Sequence, residues 1–122
     1  MAEKARILVV EDDENLRESL VAQLMDIGYD VRQASSGDEA IPLAHGTRFD
    51  LIILDLKMPY VDGFEVLKFI KGTFPQTKVI VLTGYADLRN IEKCKNLGAD
   101  EVIEKPYNLE YLLTIIGTYI KG

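Results

Sequence analysis

The chain has 122 residues, 48% of them hydrophobic and 28% charged, and 20 acidic against 14 basic residues leave a formal charge of −6. That is the make-up of one globular domain with a real core, not of a disordered tail, and the acidic balance argues against a nucleic-acid surface. No apolar run approaches the ~18 residues of a membrane span, and acids close the N-terminal apolar stretch too soon for a signal peptide. The single cysteine, Cys94, excludes an internal disulfide, and the single histidine, His45, excludes a multi-histidine metal centre. Both fit a reducing cytoplasm.

In chain order, the first predicted strand is Arg6-Ile7-Leu8-Val9-Val10, short, apolar and β-branched. A helix follows with Leu16, Leu20, Leu24 and Ile27 on one face, Asn15 as its cap, Glu18 three residues on, and Gly28 at its end. Residues 29–34 form a more polar strand that belongs near a sheet edge. A second helix starts at Ser36, with Glu39 completing a capping box. Pro42 falls inside it and removes a backbone donor, so the helix is expected to be short, kinked or irregular around residues 38–42.

Residues 51–54 (Leu-Ile-Ile-Leu) and 79–82 (Val-Ile-Val-Leu) are apolar throughout, as strands buried on both faces are. Between them lies a helix with Phe64, Leu67 and Ile70, and Pro75 beyond its end. A fourth helix carries Leu88, Ile91, Cys94 and Leu97 before Gly98. Residues 101–103 are the last strand, and the last helix runs from a cap at Asn108 through Leu109, Leu112, Leu113, Ile116 and Ile120. Strand and helix alternate five times, which gives an α/β fold with a parallel sheet covered on both faces.

In such sheets ligands sit at the carboxyl ends of the strands. There the sequence places Glu11, Asp12, Asp13 and Glu14 after the first strand, Asp55 after the third, Thr83 and Gly84 after the fourth, and Lys105 and Pro106 after the fifth. Alone, each has a bland reading. An acidic run after a strand is commonly a solvated helix start, and Asp13 and Glu14 keep that role. Thr83 alone is a strand-end hydrogen-bonding residue, Lys105 alone a surface lysine, and His45 before Gly46 a helix C-terminal dipole contact. Asp55 is harder to set aside after four apolar residues, since an unpaired buried charge is costly.

Together they describe a chemistry. Converging carboxylates need a cation, and Mg2+ prefers oxygen ligands. Asp12 and Asp55 each offer an oxygen, and Glu11 can hold a coordinated water. Asp55 is also a candidate nucleophile toward phosphorus, with Lys105 and Thr83 to stabilise the phosphoryl oxygens.

The segments Ile7-Leu8-Val9-Val10-Glu11-Asp12, Leu54-Asp55-Leu56-Lys57-Met58-Pro59 with Asp62-Gly63, Leu82-Thr83-Gly84, Gly98-Ala99-Asp100 and Glu104-Lys105-Pro106 span almost the whole chain. In this order the sequence resembles the receiver domain of two-component response regulators. The resemblance implies a flavodoxin-like, doubly wound sheet of five parallel strands in the order 2-1-3-4-5, with residues 1–122 as a single receiver domain. It implies Asp55 as phosphoacceptor. It implies a Mg2+ site (Mn2+ able to substitute) from Glu11, Asp12, Asp55 and the Lys57 carbonyl. Thr83 becomes the switch hydroxyl, Lys105 the lysine that pairs with the phosphoryl group, and Pro106 a cis proline.

It also implies partners: a sensor histidine kinase or histidine phosphotransfer protein docking near the first helix, and a downstream protein or output domain. Neither nucleic-acid contact nor membrane insertion is expected, and the setting is cytoplasmic. Tyr111, Ile115 and Tyr119 recur along a flank of the last helix. They read either as edge-of-core packing or, through Tyr111 and Ile115, as a phosphorylation-dependent dimer contact. One position departs from the family: Val102 stands where an aromatic is usual, three residues before Lys105. Tyr85, two residues after Thr83, is expected to shield the acyl phosphate or to face solvent. An aspartate-nucleophile phosphatase of the haloacid-dehalogenase type is the competing enzyme reading, but it needs a second acid two residues after the nucleophile, where Lys57 stands. A binding module with a silent site is the third, and the complete residue set argues against it.

Overall fold

The computed structural model describes residues 4–58, 61–84 and 87–120, and for residues 57, 58, 61 and 62 their backbone. Its elements are β1 (Arg6–Val10), α1 (Glu14–Ile27), β2 (Asp30–Ala34), α2 (Gly37–Gly46), β3 (Leu51–Asp55), β4 (Lys57–Met58), β5 (Val61–Asp62), α3 (Gly63–Thr73), β6 (Lys78–Thr83), α4 (Leu88–Asn96), β7 (Glu101–Glu104) and α5 (Leu109–Tyr119). The main sheet is parallel, in the order β2-β1-β3-β6-β7. Counting its five strands in sequence, this is the expected 2-1-3-4-5, with the polar strand at the edge. The small antiparallel pair β4–β5 was not expected. Strands of two residues are too short to leave a periodic signature.

The apolar strands feed two cores because side chains alternate along a strand. Leu8, Val10, Ile52, Leu54, Val79 and Val81 pack with Ala40, Val66, Leu67, Ile70 and Cys94 of α2, α3 and α4. Ile7, Val9, Leu51, Ile53, Ile80 and Leu82 pack with Leu20, Val21, Leu24, Leu112 and Ile116 of α1 and α5. Each fully buried Leu or Ile contributes roughly 1.5–3 kcal/mol of transfer free energy.

Several local expectations need correction. The cap of α1 is Asp13, not Asn15, and its side chain accepts from the Leu16 N–H at 3.1 Å. The helix therefore starts two residues earlier, and the middle of the expected stripe is buried while its two ends are not. Leu20, Val21 and Leu24 are buried, while Leu16 (42%) and Ile27 (53%) are exposed. Ser36 caps α2 as expected, but the Glu39 carboxylate bonds the N–H and hydroxyl of Ser35, each at 2.6 Å, and not Ser36. The box is therefore displaced by one residue. The stretch around Pro42 is regular helix and not irregular: α2 runs ten residues through it. Pro42 and Asp38 are exposed, so solvent reaches the Asp38 carbonyl that loses its helical partner. Of the α4 stripe, Leu88 is exposed and Cys94 alone is fully buried.

Two glycines answer to geometry. Gly28 closes α1 at φ 119°, donating its N–H to the Leu24 and Met25 carbonyls. A Cβ on Gly63, where α3 begins, would collide with the Leu56 backbone.

At the amino-terminal ends of the strands a polar network closes the sheet. Lys71 Nζ donates to the Pro75 and Thr77 carbonyls and to Asp100 Oδ2 at 3.2 Å, and the same oxygen accepts from the Val79 N–H at 2.8 Å. The Tyr119 hydroxyl donates to the Asp100 carbonyl (3.0 Å) and the Glu101 carboxylate (2.9 Å). His45, in the last turn of α2, sets its ring edge-on to Phe69 and Phe74, 5.3 and 5.8 Å between centroids.

Desolvation, together with the bond to Glu101 and its charge, raises the Tyr119 phenol to about 12. The folded state holds this proton more tightly than the unfolded chain, so the phenol's contribution is complete below its ordinary value near 10 and is lost as pH rises through about 12. Tyr119→Phe is expected to cost about 1 kcal/mol at pH 7. Urea titrations across alkaline pH should show variant and wild type converging between those two values.

Candidate functional site

The topology carries the predicted side chains to one rim. Glu11 directly follows β1, and its N–H extends the ladder to the Ala34 carbonyl at 3.1 Å. Asp55 ends β3, Thr83 ends β6, and Asp55 stands in register with Leu82, next to Thr83. Lys105 directly follows β7, its N–H donating to the Thr83 carbonyl at 2.8 Å. The peptide bond from Lys105 to Pro106 is cis, as expected.

The centre of the rim is Lys105 Nζ, 2.6 Å from Glu11 Oε1 and 3.0 Å from Asp55 Oδ2. Glu11, Asp55 and Thr83 are buried, at 5%, 3% and 0% exposure, and Asp12 faces solvent. Carboxylate oxygens of Glu11, Asp12 and Asp55 lie within 4.8 Å of one another. Glu11 Oε2 also accepts from the Asp13 N–H at 3.3 Å.

Charge is unbalanced here. Burial raises the Glu11 pKa, and its bond to Asp55 and the Asp55 charge raise it further against the pull of Lys105. Asp12 is raised by burial and by its bond to Glu11 and the Glu11 charge. Burial would lower the Lys105 ammonium, but its bonds to Glu11 and Asp55 and their charges outweigh that, so its pKa is raised. Among the described residues one ammonium, Lys105, bonds two of the three carboxylates and leaves the third beside them. A divalent cation inverts this balance, and an all-oxygen acidic donor set is the kind Mg2+ takes. The chemistry of the residues therefore fits that ion.

The remaining expectations divide. Lys57 lies on β4, two residues past Asp55. Tyr85 and Pro59 lie outside the described residues. Tyr107, just past Pro106, is half-buried against the α1/α5 core, and its phenol is raised by burial and by the Glu11 charge; from the sequence it reads as packing or as an aromatic that takes part in the switch, and its place in the core is packing. Val102 packs toward the α2/α3/α4 core. One contact at the site had no signal in the sequence. Arg17, on α1, donates from Nη1 to the Glu11 carbonyl and from Nε to Gln33 Oε1, both at 2.9 Å.

A family model described as the response regulator receiver domain matches residues 7–117. The chain belongs to this family. It is similar to the response regulator MprA of Mycobacterium tuberculosis, 40% identical over 108 residues, which are 88% of this chain and 47% of that protein. The chain spans about half or less of the length of the curated relatives it matches. Among solved structures, a CheY-like receiver domain protein from Methanospirillum hungatei superposes with a TM-score of 0.92 at 35% identity, over 95% of this chain and 93% of that one. The response regulator TrrA of Thermotoga maritima, solved with Mg2+ and beryllofluoride, superposes with a TM-score of 0.86 at 34% identity, over 95% and 99%. The protein is thus a signalling receiver domain of the response regulators, its acidic cluster compatible with a phosphorylation site and Mg2+. Among the described residues, no helix is long and apolar enough to cross a membrane.

Removing the ammonium should expose the imbalance. Lys105→Ala is expected to lower stability by about 1–3 kcal/mol at neutral pH in EDTA, because two buried carboxylates lose their cation. Adding Mg2+ should restore part of the loss, read as a larger rise in melting temperature than wild type shows.

Proposed function

We propose that Asp55 is the phosphoacceptor, taking a phosphoryl group from a phosphohistidine on a sensor kinase or histidine phosphotransfer protein. The observation that carries this reading is the Lys105 ammonium held between Glu11 and Asp55, with the Asp12 carboxylate close by. In the transfer, an Asp55 carboxylate oxygen attacks phosphorus, the P–N bond breaks, and its electron pair returns to the imidazole. The product is an acyl phosphate on Asp55.

Glu11, Asp12, Asp55 and the Lys57 carbonyl would hold Mg2+, which supplies charge neutralisation for the phosphoryl oxygens; Mn2+ has the same oxygen preference. The Mg2+–beryllofluoride complex of the Thermotoga relative supports this assignment. Lys105 pairs with the phosphoryl group, Thr83 donates its hydroxyl to it, and their backbone bond links the two responses. The domain catalyses only its own phosphorylation and dephosphorylation and turns over no separate substrate.

The donor's docking site in this reading is a groove of about 420 Å3 beside Lys105, lined by Leu16, Leu20, Pro106, Tyr107 and Leu109. The exposed Leu16 supports it, since apolar surface beside a reactive site marks an interface. Output passes to a downstream protein or an attached domain. A phosphorylation-dependent dimer would use Tyr111, which is 53% exposed, with Ile115 at its edge. Residues 1–122 act as one receiver unit in a cytoplasmic setting.

Intact mass after incubation with acetyl phosphate tests the chemistry. A single phosphoryl adduct is expected on wild type with Mg2+, none with EDTA and none on Asp55→Asn. An adduct that survives in Asp55→Asn would sink the assignment, and catalytic turnover of a phosphate ester would favour the phosphatase reading.

A further inference from the structure

We propose that Arg17 is a positioning residue for divalent-cation binding, acting through the backbone between Glu11 and Asp12. This rests on the reading of those two acids as metal ligands.

The Glu11 backbone is held on both sides. Its N–H is fixed by the Ala34 carbonyl at 3.1 Å, and its carbonyl by Arg17 Nη1 at 2.9 Å. That carbonyl belongs to the peptide joining Glu11 to Asp12. Its orientation sets where the Asp12 backbone, and so the Asp12 carboxylate, stands relative to Glu11 and Asp55. Beyond it the chain is pinned by Asp13, which caps α1 and whose carbonyl accepts from the Arg17 N–H at 2.9 Å. The exposed Asp12 is thus the acid whose placement depends most on this peptide.

Arginine suits the task. The guanidinium is a rigid fork, and here it spans the Glu11 carbonyl and the Gln33 side chain on β2, both at 2.9 Å. A lysine ammonium on its flexible stem does not hold two acceptors in a fixed geometry. Partners that orient metal ligands typically change metal affinity 10–100-fold when removed.

The sign of the effect separates positioning from charge. Arg17 is a cation near an acidic site, so by Coulomb's law its loss alone would tighten binding of a divalent cation. Loss of positioning weakens it.

The test is a Mg2+ titration of the full chain, followed by amide NMR shifts, with melting in EDTA measured alongside. Arg17→Ala is expected to bind Mg2+ roughly tenfold more weakly, with its EDTA melting temperature within a few degrees of wild type. Arg17→Lys should recover part of the affinity. Gln33→Ala keeps the charge but frees the fork, and should weaken binding in the same direction by less. Arg32→Ala, an exposed charge control on β2, should not weaken it. Mg2+ affinity of Arg17→Ala equal to or tighter than wild type would overturn the proposal. Were wild type itself to show no saturable Mg2+ binding, the metal-site reading would fall first and the positioning role with it. Weaker binding by Arg32→Ala of the same size would also overturn it, assigning the effect to a general disturbance of β2 and not to the Arg17 contacts.

Discussion

One ammonium among three carboxylates is the constraint on which the rest of this molecule turns. Lys105 reaches Glu11 and Asp55 at hydrogen-bond distance, yet Glu11 and Asp12 still titrate upward, through burial first and then through the acid beside each of them. A protein selected for stability alone would replace such a cluster with apolar side chains or pair each charge. Such a rim fits the proposed role, in which it takes up a divalent cation and then a phosphoryl group.

The fold makes this arrangement tolerable. Asp55 is the last residue of a strand buried on both faces, and its backbone remains within the β3–β6 ladder. Glu11 continues the β1–β2 ladder through its N–H, and Lys105 is bonded through its own N–H to the Thr83 carbonyl. The two cores on either side of the sheet supply the stability against which the strained charge is set. The opposite ends of the strands are treated differently. There Lys71, Asp100 and Tyr119 satisfy one another and several backbone groups, leaving a closed network. One end of the sheet is locked, and the other is left sensitive to charge.

Much of this was legible in the sequence. Strands such as Leu-Ile-Ile-Leu at residues 51–54 declare themselves by unbroken apolarity, and strict alternation with helices fixes which ends share a rim. Acids, a threonine and a lysine at four of those ends then stand out, since position and chemistry agree. What failed was local. Asn15 and Asp13 are both good caps, and choosing between them takes the hydrogen bond, not the residue type. Leu16 shares the face of Leu20 and Leu24 but lies in the first turn, beside the groove at the strand ends, where nothing covers it among the described residues. Pro42 was overweighted because a lost hydrogen bond costs most in a buried helix, and here the site is exposed. Arg17 could not be found at all, because its partners, a backbone carbonyl and a side chain on β2, carry no sequence pattern.

The same charge accounting bears on how the proposed phosphorylation would change the domain. A phosphoryl group brings roughly −1.5 to −2 of charge at neutral pH and strong acceptor oxygens. Lys105 would then be drawn from Glu11 toward the new oxygens, and Thr83, tied to Lys105 through the backbone, would turn the end of β6 with it. The shift between two states is limited to the difference in interaction energy between them. Moving a population from 1:99 to 99:1 takes about 5.5 kcal/mol. In a chain with an aromatic at position 102, ring burial could supply part of that difference. Val102 has only a small side chain, already packed against the core. Ring burial at this position therefore supplies none of the difference, and the polar groups at the rim carry a larger share of it.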